Sequence, residues 1–434
     1  MNLLNSLRIK TAAFAKRILY VTAAVCSLFV FNSCKKSTDP KKFVIWTDNT
    51  EVVSYVEIFN STHKDVKAVV IYKESVATSL PPAHDEIQPD IIIGSWLKNQ
   101  NVRKYFTPLD FVFKNSDVHK NEFYDKLLAY GNLNEKQYLL PVSFNLPAMI
   151  FSRQNEDLIS SEHFLNLSQI KSISREFNVQ GKNSDSFTSM GYGISWNPNF
   201  LYEATKLNQV EYMEKGSSFN WNSQALEETI VQMKEWTAEC NGDTSTEQNF
   251  QFRYLYMPEY RQVTTGRCLF ACTTSNNLFT LNDNQTEGLS FRWLESNGTI
   301  PVEDDLTCLG IYKKSRNLKQ CASFINWFFR EDTQTTLLER STSMKLDSVV
   351  FGIAGGFSSM KTVNEKVFPV FYHQLLGNLP GEKYLVLPKI LPARWQSLKQ
   401  KVILPYLVDS TKTDSDKYVE SLENRIRDWS KQFY

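Results

Sequence analysis

The sequence predicts an α/β protein whose sheets are rich in parallel strands and flanked by helices. Strand-like runs alternate with helical ones from residue 43 onward. The early strand-like runs are apolar on both faces, as in sheets covered by helices on either side. The helical runs each carry one apolar stripe.

The body opens on the strand Phe43-Val44-Ile45-Trp46, followed by Thr47-Asp48-Asn49-Thr50-Glu51. Asp48 with Glu51 three residues later predicts a helix start of capping-box type. Val52, Tyr55, Val56 and Phe59 then recur at helical spacing. Val66 to Tyr72 predicts the second strand. Asp90-Ile91-Ile92-Ile93-Gly94, entered from Pro89, predicts a third that is wholly buried. Tyr138 to Pro141 and Asn145 to Phe151 continue the strand-like pattern. From about 151 to 300 helices and aromatic loops dominate, with Leu226, Ile230, Met233 and Trp236 on one face behind a cap at Asn222 or Ser223. Arg267 to Thr274 and Leu306 to Tyr312 predict further strands. A helix capped by Ser315 carries Leu318, Ala322, Ile325 and Phe329. The last helix shows Val419, Leu422, Ile426 and Trp429 on one stripe.

The first 33 residues hold Arg8, Lys10, Lys16 and Arg17 and no acid, then an uncharged run from Ile18 to Phe31. That is the build of a secretory signal, and the run is short for a membrane span, which needs about 20 apolar residues. Phe31-Asn32-Ser33-Cys34 resembles a lipobox, with Phe31 where strict versions have Leu. The expectation is acylation of Cys34, with residues 34–42 as a polar tether. Several acyl chains at about 0.8 kcal/mol per buried CH₂ would hold such a protein firmly to a membrane. Four of the 48 basic residues leave with the signal while all 47 acidic ones stay, so the exported chain carries about −3. Mixed charges near balance exclude a basic nucleic-acid footprint. The remaining 401 residues exceed one usual core and predict two domains. Past Cys34 there are five cysteines, an odd number. Cys268 and Cys272 fall in an apolar run with no histidine near, which favours buried small hydrophobes over a zinc site.

The order of elements, with its particular residues, resembles the family 1 extracellular solute-binding proteins of ABC importers, to which maltose-binding protein belongs. The resemblance is carried by Val44-Ile45-Trp46 and by Gln88 to Gly94 with Phe106-Thr107-Pro108-Leu109-Asp110. It continues in Tyr138 to Phe151, Gly266 to Thr274, Ile311 to Ser315 with Ala322 to Phe328, and Trp395 with Arg425 to Trp429. It implies a two-lobed, Venus-flytrap fold of class II type with solute held between the lobes. The first lobe would be 43–144 plus 306–345 and the second 145–305 plus 346–434. Crossings would lie near Val142–Ala148, Asp304–Leu309 and Ser343–Gly352. Ligand contacts on both lobes would stabilise closure.

Cleft residues belong at strand ends. On the first lobe Trp46 could stack a ligand ring and Asp48 accept its hydroxyls, though a core Trp and a capping Asp fit as well. Ser95 and Trp96 follow the third strand, and Asn145 stands in the crossover. On the second lobe Tyr192 and Trp196 are loop aromatics that could form the opposite stacking platform, or as often simply pack a loop onto its lobe. Thr274, Ser275 and Asn276 are three consecutive hydrogen-bonders that suit a sugar or a plain turn. The run Gly352 to Gly356 offers close backbone approach or a hinge turn.

No H-E-x-x-H, Walker loop, dinucleotide fingerprint or G-x-S-x-G elbow is present, and the five histidines are scattered. A binding protein without cofactor or metal is therefore expected rather than an enzyme. The expected function is delivery of a polar solute, a carbohydrate by preference, to an ABC permease by a monomeric receptor facing the periplasm or cell exterior. The alternative is a surface adhesin or sensor subunit on the same fold.

Overall fold

The computed structural model describes residues 40–433 apart from 100–101, 115–116, 183–185, 217, 344–349 and 414–417. Cys34 and the leader before it lie outside the described residues. β1 (Lys41–Thr47) leads into α1 (Glu51–Thr62), then β2 (Val66–Tyr72), β3 (Ile91–Gly94) and β4 (Leu140–Phe144). The chain goes on to β5 (Pro147–Ser152), the short β6 (Phe164–Leu165), α2 (Pro198–Leu207) and α3 (Ser223–Trp236). β7 (Phe270–Thr274) and β8 (Leu289–Leu294) follow. Then come β9 (Thr307–Ile311), α4 (Leu318–Phe328) and β10 (Phe357–Ser358).

Two mixed sheets result. The first has the order β10-β4-β9-β3-β1-β2 and the second β7-β5-β8-β6. In the first, β1 pairs parallel with β2 and β3, whereas β9 runs antiparallel to β3 and β4. In the second, only β8 and β6 are parallel, and β5 is antiparallel to both β7 and β8. The consecutive parallel pair, β1 and β2, is joined by the helical crossover α1. Strands that return from the other sheet arrive reversed, so the sheets are less parallel-rich than apolarity alone predicts. What apolarity reported was burial: β3, β4, β5 and β9 have no exposed residue.

Local chemistry explains the helix starts. Asn49, not Asp48, receives the first-turn N–H: its Oδ1 accepts from Glu51 at 3.0 Å. Asn222 caps α3, accepting from Ala225 at 3.2 Å. Ser315 serves α4 indirectly, accepting from the Asn317 N–H at 3.1 Å and donating to the buried Asp90 at 2.6 Å.

The chain passes from the first sheet to the second between Phe144 and Pro147, and returns between Leu294 and Thr307. The third passage corrects the expectation. Phe357–Ser358 pair with Phe144–Ser143 in the first sheet, so residues from 346 onward do not all belong with the second. The passage falls after Ser358 and before Leu385–Val386, which pair with Ile300–Pro301. Phe351, Phe357, Phe368 and Tyr372 form an aromatic wedge that meets Phe279 and Trp293 on the second sheet. The Gly352–Gly356 turn feeds this wedge. All five cysteines among the described residues are free thiols and buried, including Cys268 and Cys272 as expected. No helix among the described residues is long and apolar enough to cross a membrane.

Candidate functional site

A cavity of about 340 Å³ lies where the first sheet's strand ends meet the second sheet and α2. Its walls bring together Trp96 after β3, Asn145 in the crossover, and Thr274 and Asn276 after β7. They also include Glu203 on α2, Glu303 to Asp305 before β9, and Trp395 with Lys399 from the C-terminal region. Four of the residues expected from the sequence thus line one cavity.

Trp96 is held at φ +55°, a left-handed backbone that a bulky side chain adopts only where its surroundings enforce it. Its ring packs against the cores on both sides of the cavity. Ser95 beside it donates to the Asp305 carbonyl at 2.8 Å, tying the end of β3 to the return crossing. Asp48 lies just behind, at the end of β1, with the Val76 N–H 3.4 Å from its carboxylate. Burial pushes its carboxyl up to about 6, against the pull of the Val76 and Ser95 N–H groups. Asp48 is not in the cavity wall, and Gly94 fits there because a Cβ would sit 2.4 Å from its oxygen.

The crossover is clasped. Ser275 Oγ donates to Asn145 Oδ1 at 2.6 Å and accepts from the Leu146 N–H at 3.1 Å; Asn145 Nδ2 donates to the Gly355 carbonyl at 2.8 Å. Ser275 is fully buried and spent on this clasp, which corrects its assignment as a ligand contact. Thr274 caps the helical turn after β7, accepting from Asn277 at 3.4 Å.

Three aromatic assignments are also corrected. Trp46 is fully buried, with Lys73 Nζ 4.1 Å from its ring centre, because its strand lies inside the sheet. Tyr192 is buried against Phe200, ring centres 4.6 Å apart. Trp196 stacks on Phe250 at 5.5 Å, and its Nε1 donates to the Glu247 carbonyl at 2.9 Å. Both loop aromatics fix their loop to the lobe. The aromatic in the far wall is instead Trp395, backed by Tyr202, Tyr212 and Phe219.

Beneath that wall lies a charge network that sequence reasoning missed. Asp304 accepts from Tyr202 Oη at 2.6 Å and Trp395 Nε1 at 2.9 Å, with Lys206 and Lys399 Nζ each 3.7 Å away. Burial alone would raise this carboxyl, but the two lysines and two donors hold it below its ordinary value. Glu203 faces Lys206 at 3.1 Å. Burial first and Glu303 second push Glu203 up to about 8. Lys206, desolvated but facing several carboxylates, is held above its ordinary range. Among the described residues, Glu203 and Asp304 are ion-paired with Lys206 and Lys399 only. The site therefore offers amides, hydroxyls, carboxylates and the half-buried Trp96 indole, the chemistry that holds polyhydroxylated solutes. Among the described residues no cluster of His, Cys, Asp and Glu could hold a metal ion. A signal for the network existed in sequence, since Glu303-Asp304-Asp305 is an acidic run in an otherwise apolar stretch. Its partners on α2 and at 395–399 are too distant in the chain to be paired by eye.

The sequence matches no family model and no curated protein. Solved structures do match. An ABC substrate-binding protein of Listeria monocytogenes in complex with cycloalternan is 10% identical, with TM-score 0.58 over 91% of this chain and 99% of that one. The GacH receptor of Streptomyces glaucescens, studied unliganded and with acarbose, is 13% identical, with TM-score 0.59 over 91% and 99%. The maltose-binding periplasmic protein of L. monocytogenes, in complex with maltose, is 13% identical, with TM-score 0.57 over 92% and 100%. The chain has the two-lobed fold of the maltose-binding proteins. At these identities the likeness is one of backbone, and it covers both sheets and the cavity between them.

Proposed function

We propose that the protein is a lipid-anchored, extracytoplasmic solute receptor that captures a carbohydrate between its lobes and delivers it to an ABC importer. The observation that carries this reading is the cavity itself. It sits at the strand ends beside the crossings, is walled by Trp96 and Trp395, and is otherwise lined by hydrogen-bonding groups. The match to proteins solved with cycloalternan, acarbose and maltose supports a saccharide over other polar solutes. Trp96 would stack a sugar face, Asn276 and Thr274 would meet hydroxyls, and Lys399 and Glu303 would orient the ring. The lipobox at Phe31 to Cys34 supports the anchor.

A melting screen of malto-, manno- and cyclic oligosaccharides tests the receptor reading. A true ligand at 100 times its dissociation constant adds about 2.7 kcal/mol of stability, and Trp96→Ala should weaken it at least about tenfold. If no saccharide shifts melting while a host protein binds the surface, the adhesin reading replaces transport. Incorporation of labelled fatty acid that vanishes in Cys34→Ala tests the anchor; unchanged labelling would refute it.

A further inference from the structure

The first sheet has two ends. One meets the cavity; the other carries Lys41 and Lys42 at the start of β1, Lys67 on β2, and Lys313, Lys314 and Arg316 just past β9. The register places them together: Lys42 lies opposite Lys67, and Ile311 at the end of β9 lies opposite Ile91 at the start of β3. Lys42, Lys314 and Arg316 line one shallow depression. Across four neighbouring strands the row spans about 15 Å. All six cations are exposed.

None of the six is ion-paired among the described residues. Lys73, Lys120 and Lys361 sit 2.6–3.1 Å from carboxylates, whereas single exposed lysines such as Lys64 and Lys136 are unpaired like the row but stand outside it. Asp90, the acid in the depression, is committed internally to the Val44 N–H, Ser315 and Asn317. Asp65 is the exposed carboxylate at the start of β2. A chain of about −3 after residue 33 thus concentrates unpaired positive charge on one end of one sheet. Such clustering costs self-repulsion unless a polyanion faces it.

We propose that this end of the first sheet is a docking face for anionic lipid headgroups. The choice of polyanion rests on the lipid-anchored reading proposed above: Lys41 is seven residues from Cys34, so an acyl chain on that cysteine would hold the face within about 25 Å of the bilayer. Docking leaves the cavity about 20 Å above the membrane, the length of β1. It immobilises the first sheet while the second, which bears no part of this cationic row, stays free to close. The face acts without the lipid, so its test does not depend on acylation.

The test uses the chain begun at Lys35, which contains every described residue, sedimented with vesicles of phosphatidylcholine alone or with phosphatidylglycerol. Binding to the anionic vesicles only, falling as salt screens it, is expected. Lys42→Glu/Lys314→Glu/Arg316→Glu should weaken it by at least about 100-fold, at roughly fivefold for each cation lost near the surface, with an unchanged urea midpoint. Equal binding to neutral vesicles, or a triple variant that binds like the parent, overturns the proposal. So does absence of binding at low salt, the result if the face meets an acidic protein instead.

Discussion

Asp48, half-buried behind the cavity, and Asp304, buried in its wall, are driven in opposite directions by their surroundings. Asp48 has backbone N–H groups but no cation, and burial raises it from 3.8 to about 6. The fold therefore favours its protonated form. Its contribution is fully present below pH 3.8 and is lost as pH rises through 6. Asp48→Asn should remove that loss, gaining up to about 3 kcal/mol over wild type above pH 6, less what cleft water recovers, and little at pH 4. Urea melts at the two pH values check this; an equal effect at both would contradict the assignment. Asp304 is held low by Lys206, Lys399, Tyr202 and Trp395. Tyr202→Phe deletes one 2.6 Å hydrogen bond to that charge, and a loss of about 1.5–3 kcal/mol in chemical denaturation is expected.

At the scale of elements, the clasp between β4–β5 and the turn after β7 decides how the crossing is held. Ser275→Ala strands Asn145 Oδ1 and the Leu146 N–H, and unfolding should become easier by about 1–3 kcal/mol. Amide exchange at Leu146 should rise with it; a variant that keeps Leu146 protected would show the clasp to be dispensable. The Gly352–Gly356 turn makes a sharper case. Gly352 has φ +61°, and a Cβ there would lie 2.2 Å from the Gly356 carbonyl. Gly352→Ala should cost well over the roughly 1 kcal/mol typical of a strained glycine site, read as a lowered melting temperature.

For the whole molecule, two sheets joined at 145–146, 303–306 and after Ser358 make hinge closure the expected response to solute. Small-angle scattering should show a smaller radius of gyration with a bound oligosaccharide; identical profiles at saturation would argue for a rigid body. Within that frame the sequence was informative where signals were local. Apolar runs marked every strand of the first sheet but β10, and helical spacing marked α1, α3 and α4. Strand ends pointed to Trp96, Asn145, Thr274 and Asn276. Trp46, Tyr192 and Trp196 were misplaced because an aromatic beside a strand end reads the same whether its ring faces the cavity or the core. The third crossing was misplaced because glycines at 352–356 mark a turn without saying which sheet it serves.

By itself the sequence determined the α/β alternation, which strands are buried, and the likeness to solute-binding proteins, all written in neighbouring residues. Only the tertiary structure decided strand direction, the joining of Trp395 and Lys399 to Glu203 and Asp304, and the row of cations at the end of the first sheet away from the cavity. Those features depend on contacts between residues far apart in the chain, and side-chain periodicity carries no record of such pairings.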